Sequence, residues 1–363
     1  MSLFNVFRQG AFMSNKPNIT TINQARTTES GFEFPSIDIA WNSWGTLNET
    51  KDNVILICHA LTGSSNAKDW FYGLFESNGF IDLDKHFVLC INNLGSCYGS
   101  TGPTSVSPVT GKPYQANFPE ITIRDIVKHQ QLLLDHLGIK GIELAIGGSM
   151  GGMVALEFGL MDPRIQSLAL FAMGKSHTPW AIGISHARRK AIYADEHWQD
   201  GFYDPKVPPQ KGLSAARALA MITYRSPQNY EHKFRRDFNR NKDQFEVESY
   251  LDHQGEKLSS RFDANTYITL TKAMDSHDVS RNRGSFREAL GSLTIPCLIL
   301  GIDSDLLYPI AEQQELSELI PDSEINQIHS DYGHDAFLIE FEQINKNLIP
   351  FYHSTKSLYE HHT

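Results

Sequence analysis

Residues 54–58 and 87–91 carry no polar side chain. A run that short, apolar at every position, fits a strand buried on both faces of a parallel sheet. Residues 37–44 alternate instead and read as an early antiparallel strand. From 121 to 137 the pattern changes to helical spacing, with Ile123, Ile126, Val127, Leu132, Leu133, Leu134 and Leu137 as its apolar positions and Gly138 as a stop. Further apolar strand-like runs follow at 142–146, 165–172 and 295–302, then a helix over 310–319, a short strand over 324–328 and a final helix from Phe337. Strands alternating with helices in this way predict an α/β fold with a right-handed, mostly parallel sheet. The tail after Phe351 is expected to fray.

The alternation lapses between 174 and 290. There the chain turns polar, aromatic and helical, punctuated by Pro179, Pro205, Pro208 and Pro209. An insertion of that length between two sheet strands is expected to form a lid over a site. The predicted organisation is therefore a core in two parts, 1–173 and 291–363, with a helical lid over 174–290.

The chain turns on residues 142–159, an apolar strand, a glycine cluster around one serine, and a helix-like run. Gly147-Gly148-Ser149-Met150-Gly151 matches G-x-S-x-G, the nucleophile elbow. Without side chains at Gly147 and Gly151 the backbone can bend sharply, which leaves Ser149 exposed to a substrate at a helix N-terminus. The Met150 amide then points at the reacting carbonyl, where negative charge develops. A glycine-rich connection with no chemistry is the plainer reading of the same five residues.

Composition narrows the class. At 363 residues, 40% hydrophobic and 20% charged, the chain is ordinary for a soluble globular enzyme of one large α/β domain plus a cap. No apolar run reaches the ~18 residues of a membrane span. Residues 1–18 lack a long apolar segment, so secretion is not expected, and Met13 offers an alternative start after a loose extension. The four cysteines, Cys58, Cys90, Cys97 and Cys297, show no C-x-x-C spacing, which favours a reducing cytoplasm over a zinc or disulfide framework. A net charge of −10 argues against nucleic acid. Residues 181–240 reverse that sign, with eleven Lys/Arg against six Asp/Glu. A site for an anionic ligand and a solvated helical face both fit.

A serine hydroxyl needs a base, and the base an orienting carboxylate. With a nucleophile elbow the chain order is nucleophile, acid, histidine. Asp303 and Asp305 share one loop after a strand, and His329 and His334 both follow the last strand. His334 is the stronger base candidate because Gly333 lets the backbone turn beside it. The loop after the 54–58 strand, His59-Ala60-Leu61-Thr62-Gly63, is placed to supply a second oxyanion amide, with Leu61 as donor. The hydroxyl-rich loop 92–105 reads equally as a ligand bed or as plain surface.

Together, residues 59–63, 95–105, Gly147 through Met153, Ser304-Asp305-x-Leu307-Tyr308-Pro309 and Gly333-His334-Asp335-Ala336-Phe337-Leu338 resemble the homoserine O-acetyltransferases. The resemblance spans most of 35–350. It implies the α/β-hydrolase fold, a mostly parallel central sheet with an inserted helical lid, and it selects Asp305 as the acid. It also implies a Ser149, Asp305, His334 triad, with Arg217, Tyr224 and Asp335 holding an amino-acid substrate. Arg217 would grip an α-carboxylate bidentately and Asp335 would pair with the α-ammonium. The implied reaction moves the acetyl group of acetyl-CoA to the hydroxyl of L-homoserine in methionine biosynthesis. No metal and no bound cofactor are implied, and the partners are small molecules, with a cytoplasmic homodimer. Val154 stands where the family commonly has glutamine, and Leu94-Gly95-Ser96-Cys97-Tyr98 departs from its usual loop. Those departures keep succinyl-CoA as donor and L-serine as acceptor in view, beside a lid-bearing esterase or thioesterase.

Overall fold

The computed structural model describes residues 16–241 and 243–360, so the expected loose extension before Met13 lies outside the described residues. Eight strands build the central sheet. In chain order they are β1 (Asn18–Ile22), β2 (Ile37–Trp44), β3 (Val54–Cys58), β4 (Phe87–Ile91), β5 (Ile142–Gly148), β6 (Leu168–Phe171), β7 (Cys297–Ile302) and β8 (Ser323–Ile328). Their spatial order is β1-β2-β4-β3-β5-β6-β7-β8. The first two pairings are antiparallel, and every pairing from β4 onward is parallel.

The unbroken apolar runs are explained by burial on both faces. Val54, Leu56 and Cys58 of β3 pack into one cluster, while Ile55 and Ile57 pack into a separate one. Alternate side chains of one strand therefore serve the two sides of the sheet. Each fully buried aliphatic side chain contributes roughly 1.5–3 kcal/mol, and none can be spared for solvent.

Apart from one-turn pieces, the helices are α1 (Ile123–Leu137), α2 (Met150–Met161), α3 (Pro179–Tyr193), α4 (Gln210–Tyr224), α5 (Pro227–Phe234), α6 (Glu246–Ser259), α7 (Ala264–Asp275), α8 (Phe286–Gly291), α9 (Ile310–Leu319) and α10 (Phe341–Glu360). Helices α3 to α8 fall between β6 and β7, in the stretch where the strand pattern lapses. Thr122 opens α1 with a capping box shared with Asp125, and Gly138 closes it at φ 72°.

Several boundaries differ from the sequence pattern. The final helix, expected from Phe337, begins at Phe341, because Gly333–Leu338 forms a separate 3-10 helix around His334. The β6 strand begins at Leu168, because Ile165 turns back on Asp162 and makes only an isolated bridge to Ile142. The β7 strand begins at Cys297, since Pro296 has no N–H to give the ladder. The tail does not fray at Phe351. Helix α10 continues to Glu360, held by Tyr352, whose ring packs 5.0 Å from Phe80 and whose hydroxyl meets His86 Nε2 at 3.1 Å.

Glu157 ties α2 into this frame. The buried carboxylate accepts from Arg124 Nε of α1 at 3.2 Å and from Arg283 Nη2, between α7 and α8, at 2.7 Å. Removing it leaves the buried Arg124 guanidinium facing the half-buried Arg283 with no anion between them. Glu157→Ala is expected to lose about 3 kcal/mol or more, read as a lower urea midpoint at an unchanged slope; an unaltered midpoint would refute the role given to this carboxylate.

Candidate active site

Ser149 follows β5, Asp305 follows β7 and His334 follows β8, so all three leave the sheet at its carboxyl edge. Ligands of open α/β sheets bind at that edge. Ser149 has φ 55° and ψ −127°, a conformation that L-residues avoid, and its carbonyl accepts the amide of Met153 as α2 begins.

The glycines around it have specific jobs. A Cβ on Gly147 would lie 2.1 Å from the Gly151 carbonyl oxygen, and one on Gly151 would lie 2.1 Å from the Cys58 carbonyl oxygen. The first turn of α2 therefore rests directly on the end of β3. That contact puts the loop carrying Leu61 beside the N-terminus carrying Met150. Among the described residues, neither the Leu61 nor the Met150 amide donates to the protein. His59 holds the Leu61 loop. Its Nε2 accepts from the Asn93 amide at 3.1 Å while Nδ1 donates to the Ala60 carbonyl at 2.9 Å. Burial pulls its imidazole down to about 4, so it stays neutral.

The two rival aspartates and the two rival histidines pair with each other. His334 Nδ1 donates to Asp305 Oδ2 at 2.7 Å, with the two side chains 3% and 0% exposed. His329 Nδ1 lies 2.9 Å from Asp303 Oδ2, with those side chains 73% and 35% exposed. Burial separates the pairs, because an exposed ion pair is screened by water and a buried one is not. Asp305 Oδ1 also accepts the amides of Leu307 and Tyr308 at 2.7 and 2.9 Å. With Nδ1 committed to Asp305, His334 has Nε2 left for a hydroxyl.

Three rings enclose the imidazole. Tyr224, Tyr308 and Phe337 each have centroids 5.4 Å from that of His334. Phe337 also touches the elbow, where a Cβ on Gly148 would meet its ring at 2.5 Å, so the serine turn and the histidine share one packing partner. Ser304 Oγ donates to the Ser330 carbonyl and accepts the Gly333 amide, which stitches the Asp305 loop to the His334 loop. Burial, and after it repulsion from Asp305, pushes the Glu312 carboxyl up to about 7.

Helix α4 delivers Arg217 and Tyr224 to the same place, with the Arg217 guanidinium carbon 5.5 Å from the Tyr224 ring centre. Asp335 is paired to Arg225 at 3.1 Å. That partner carries no signal in the sequence beyond following Tyr224. Tyr308, which the sequence shows only as part of the block around Asp305, packs at a tilt against His334 and bonds through its hydroxyl to His177 Nδ1 at 3.0 Å. The 92–105 loop is not plain surface: Asn92, Asn93, Ser96, Ser100 and Thr101 are all buried, and Tyr98 accepts from Arg261 of the insertion.

All four cysteines are free. Among the described residues no cluster of His, Cys, Asp and Glu is arranged to hold a metal ion, and no helix is long and apolar enough to cross a membrane.

Residues 53–341 match the family described as alpha/beta hydrolase fold. A homoserine O-acetyltransferase of Chlorobium chlorochromatii is 51% identical over 345 residues, covering 94% of this chain and 96% of its own length. Among solved structures, a homoserine O-acetyltransferase from Bacillus anthracis superposes with a TM-score of 0.86 at 25% identity, covering 93% of this chain and 97% of that one. An acetylester hydrolase from Corynebacterium glutamicum superposes with a TM-score of 0.82, also at 25% identity, over 93% and 96% of the two chains.

If burial selects the working pair, Asp305→Asn should slow phosphonylation of Ser149 by a fluorophosphonate probe by about 10⁴-fold, the scale of losing the tautomer-fixing carboxylate. Asp303→Asn should leave labelling close to wild type. Equal loss in the two variants would contradict the assignment.

Proposed function

The chain belongs to the homoserine O-acetyltransferase family of the α/β-hydrolase fold, and from that premise we propose that it transfers the acetyl group of acetyl-CoA to the side-chain hydroxyl of L-homoserine through an acyl-enzyme on Ser149. The observation that carries this reading is the buried His334–Asp305 pair at the sheet edge that also presents a strained serine.

In the first step His334 Nε2 takes the Ser149 proton as Oγ attacks the thioester carbon. The Leu61 and Met150 amides receive the oxyanion. CoA leaves as its thiol on taking the proton back from His334, and the acetyl group stays on Ser149. In the second step His334 deprotonates the homoserine hydroxyl, which attacks the acyl carbon, and Ser149 is released with its proton restored. Arg217 and Tyr224 receive the α-carboxylate of homoserine. Asp335 faces its ammonium, sharing the carboxylate with Arg225.

Transfer rather than hydrolysis depends on keeping water from the acyl-serine. The helical insertion, taken as a lid over 174–290 on the 1–173 and 291–363 core, supplies that cover. Its net positive stretch also suits the CoA phosphates. The same reading carries a cytoplasmic homodimer and a place in methionine biosynthesis.

A second reading, hydrolysis of acetyl esters, is favoured by the superposition on an acetylester hydrolase. Against it stand Arg217 and the Arg225–Asp335 pair within the site, which an uncharged ester has no use for.

The deciding assay measures thiol release with acetyl-CoA and succinyl-CoA, each crossed against homoserine and serine. Acetyl-CoA with homoserine should exceed the acceptor-free rate by the widest margin, and Ser149→Ala should abolish that excess. Release indifferent to acceptor in every combination would leave hydrolysis as the function.

A further inference from the structure

Helices α3 and α4 set two guanidinium groups against one tyrosine. The central carbons of Arg188 and Arg217 lie 5.0 and 5.5 Å from the centre of the Tyr224 ring. Arg188 is 1% exposed and is among the largest fully buried side chains. Its Nη2 donates to Thr223 Oγ1 at 2.5 Å and its Nη1 to Tyr224 Oη at 3.5 Å. Its Nε is buried outside ordinary hydrogen-bond geometry, and the neutral Tyr267 hydroxyl lies beside the guanidinium.

Among the described residues no carboxylate lies within ion-pair distance of Arg188 or Arg217. The contrast with the next residue is sharp, since Arg189 meets Asp275 at 2.6 Å, and the buried Arg124 meets Glu157 at 3.2 Å. Taking a cation out of water costs several kcal/mol unless an anion or a full set of acceptors replaces the water. Around Arg188 the chain supplies only neutral hydroxyls and ring faces, which attract a cation without neutralising it. The unmet charge sits one ring away from the base, because the Tyr224 ring packs at a tilt against His334, with centroids 5.4 Å apart.

The bond to Arg188 also sets the role of Tyr224. A phenol oxygen that accepts from an arginine keeps its own proton to donate. Half-buried Tyr224 is then a donor into the site, backed by a fixed cation and flanked by Arg217.

We infer that Arg188 is a positioning residue for a carboxylate subsite: it acts through Tyr224, whose hydroxyl, together with Arg217, receives a carboxylate carried by a substrate. The inference rests on the acyl-transfer reading. The carboxylate belongs either to the amino-acid acceptor or to the far end of a dicarboxylic acyl group, and the chemistry of recognition is the same for both.

The test uses the full chain with Arg188→Met, which keeps the apolar stem, Arg188→Lys, which restores a charge, and Thr223→Val, which removes the Nη2 anchor. Acceptors are homoserine and 3-aminopropan-1-ol, which is homoserine without its carboxylate; donors are acetyl-CoA and succinyl-CoA. A charge-assisted contact is worth roughly tenfold or more in affinity. For an acceptor carboxylate, Arg188→Met raises the KM for homoserine by about that factor relative to its effect on 3-aminopropan-1-ol, and Arg188→Lys recovers part of the loss. For a donor carboxylate, the same factor separates succinyl-CoA from acetyl-CoA instead. Thr223→Val moves the same ratio in the same direction, which preserves the test if Arg188→Met does not fold. Equal effects on every substrate, or none, would overturn the inference while leaving acyl transfer intact. No burst of thiol from the unaltered protein with either donor would remove acyl transfer, and this subsite with it.

Discussion

The backbone of Ser149 is held where an L-residue does not rest by itself. A conformation of that kind costs on the order of 1–3 kcal/mol and persists only when its surroundings leave no alternative. Here the surroundings are specific. Gly147 and Gly151 allow β5, α2 and the end of β3 to approach to distances that no side chain would permit, and Gly148 does the same for the Phe337 ring. The same contacts that force the serine upward bring the Leu61 loop to the N-terminus of α2. The strained backbone of Ser149 and the approach of the Leu61 loop to the Met150 amide thus have one cause.

Around that turn the site is sorted by burial. The chain carries two His–Asp pairs at one sheet edge, built from the same two loops with the aspartates two residues apart and the histidines five. One lies under Tyr224, Tyr308 and Phe337, and the other faces water. Only the enclosed pair keeps the low dielectric that makes a carboxylate an effective orienter of an imidazole. The insertion also builds the surroundings of the histidine, since α4 supplies Tyr224 to its wall and Arg225 follows that helix to meet Asp335.

Much of this was legible in the chain. The strands of the parallel sheet carry apolar runs because both faces are buried, and the elbow glycines are needed for reasons of backbone contact that their spacing expresses. The choice of Asp305 over Asp303 is not legible in the residues alone, because two aspartates two apart in one loop differ only in where the fold sends them; the resemblance implies Asp305, and Asp305 is the one the fold buries against a histidine. The parts played by Arg188 and Arg225, and the histidine contact of Tyr308, are hidden in the sequence for a related reason. Each acts through a neighbour brought from another helix or loop, and a sequence does not display such neighbours. The end of α10 was misjudged because its anchors, Phe80 and His86, lie far upstream.

The central claim is that the strained serine carries the acyl group between donor and acceptor. Rapid mixing with acetyl-CoA in the absence of acceptor, followed by acid quench and peptide mass mapping, tests it most directly. The account predicts one acetyl group on the peptide containing Ser149, lost when homoserine is added as O-acetylhomoserine appears. Product formed with no acetyl ever found on that peptide would contradict it.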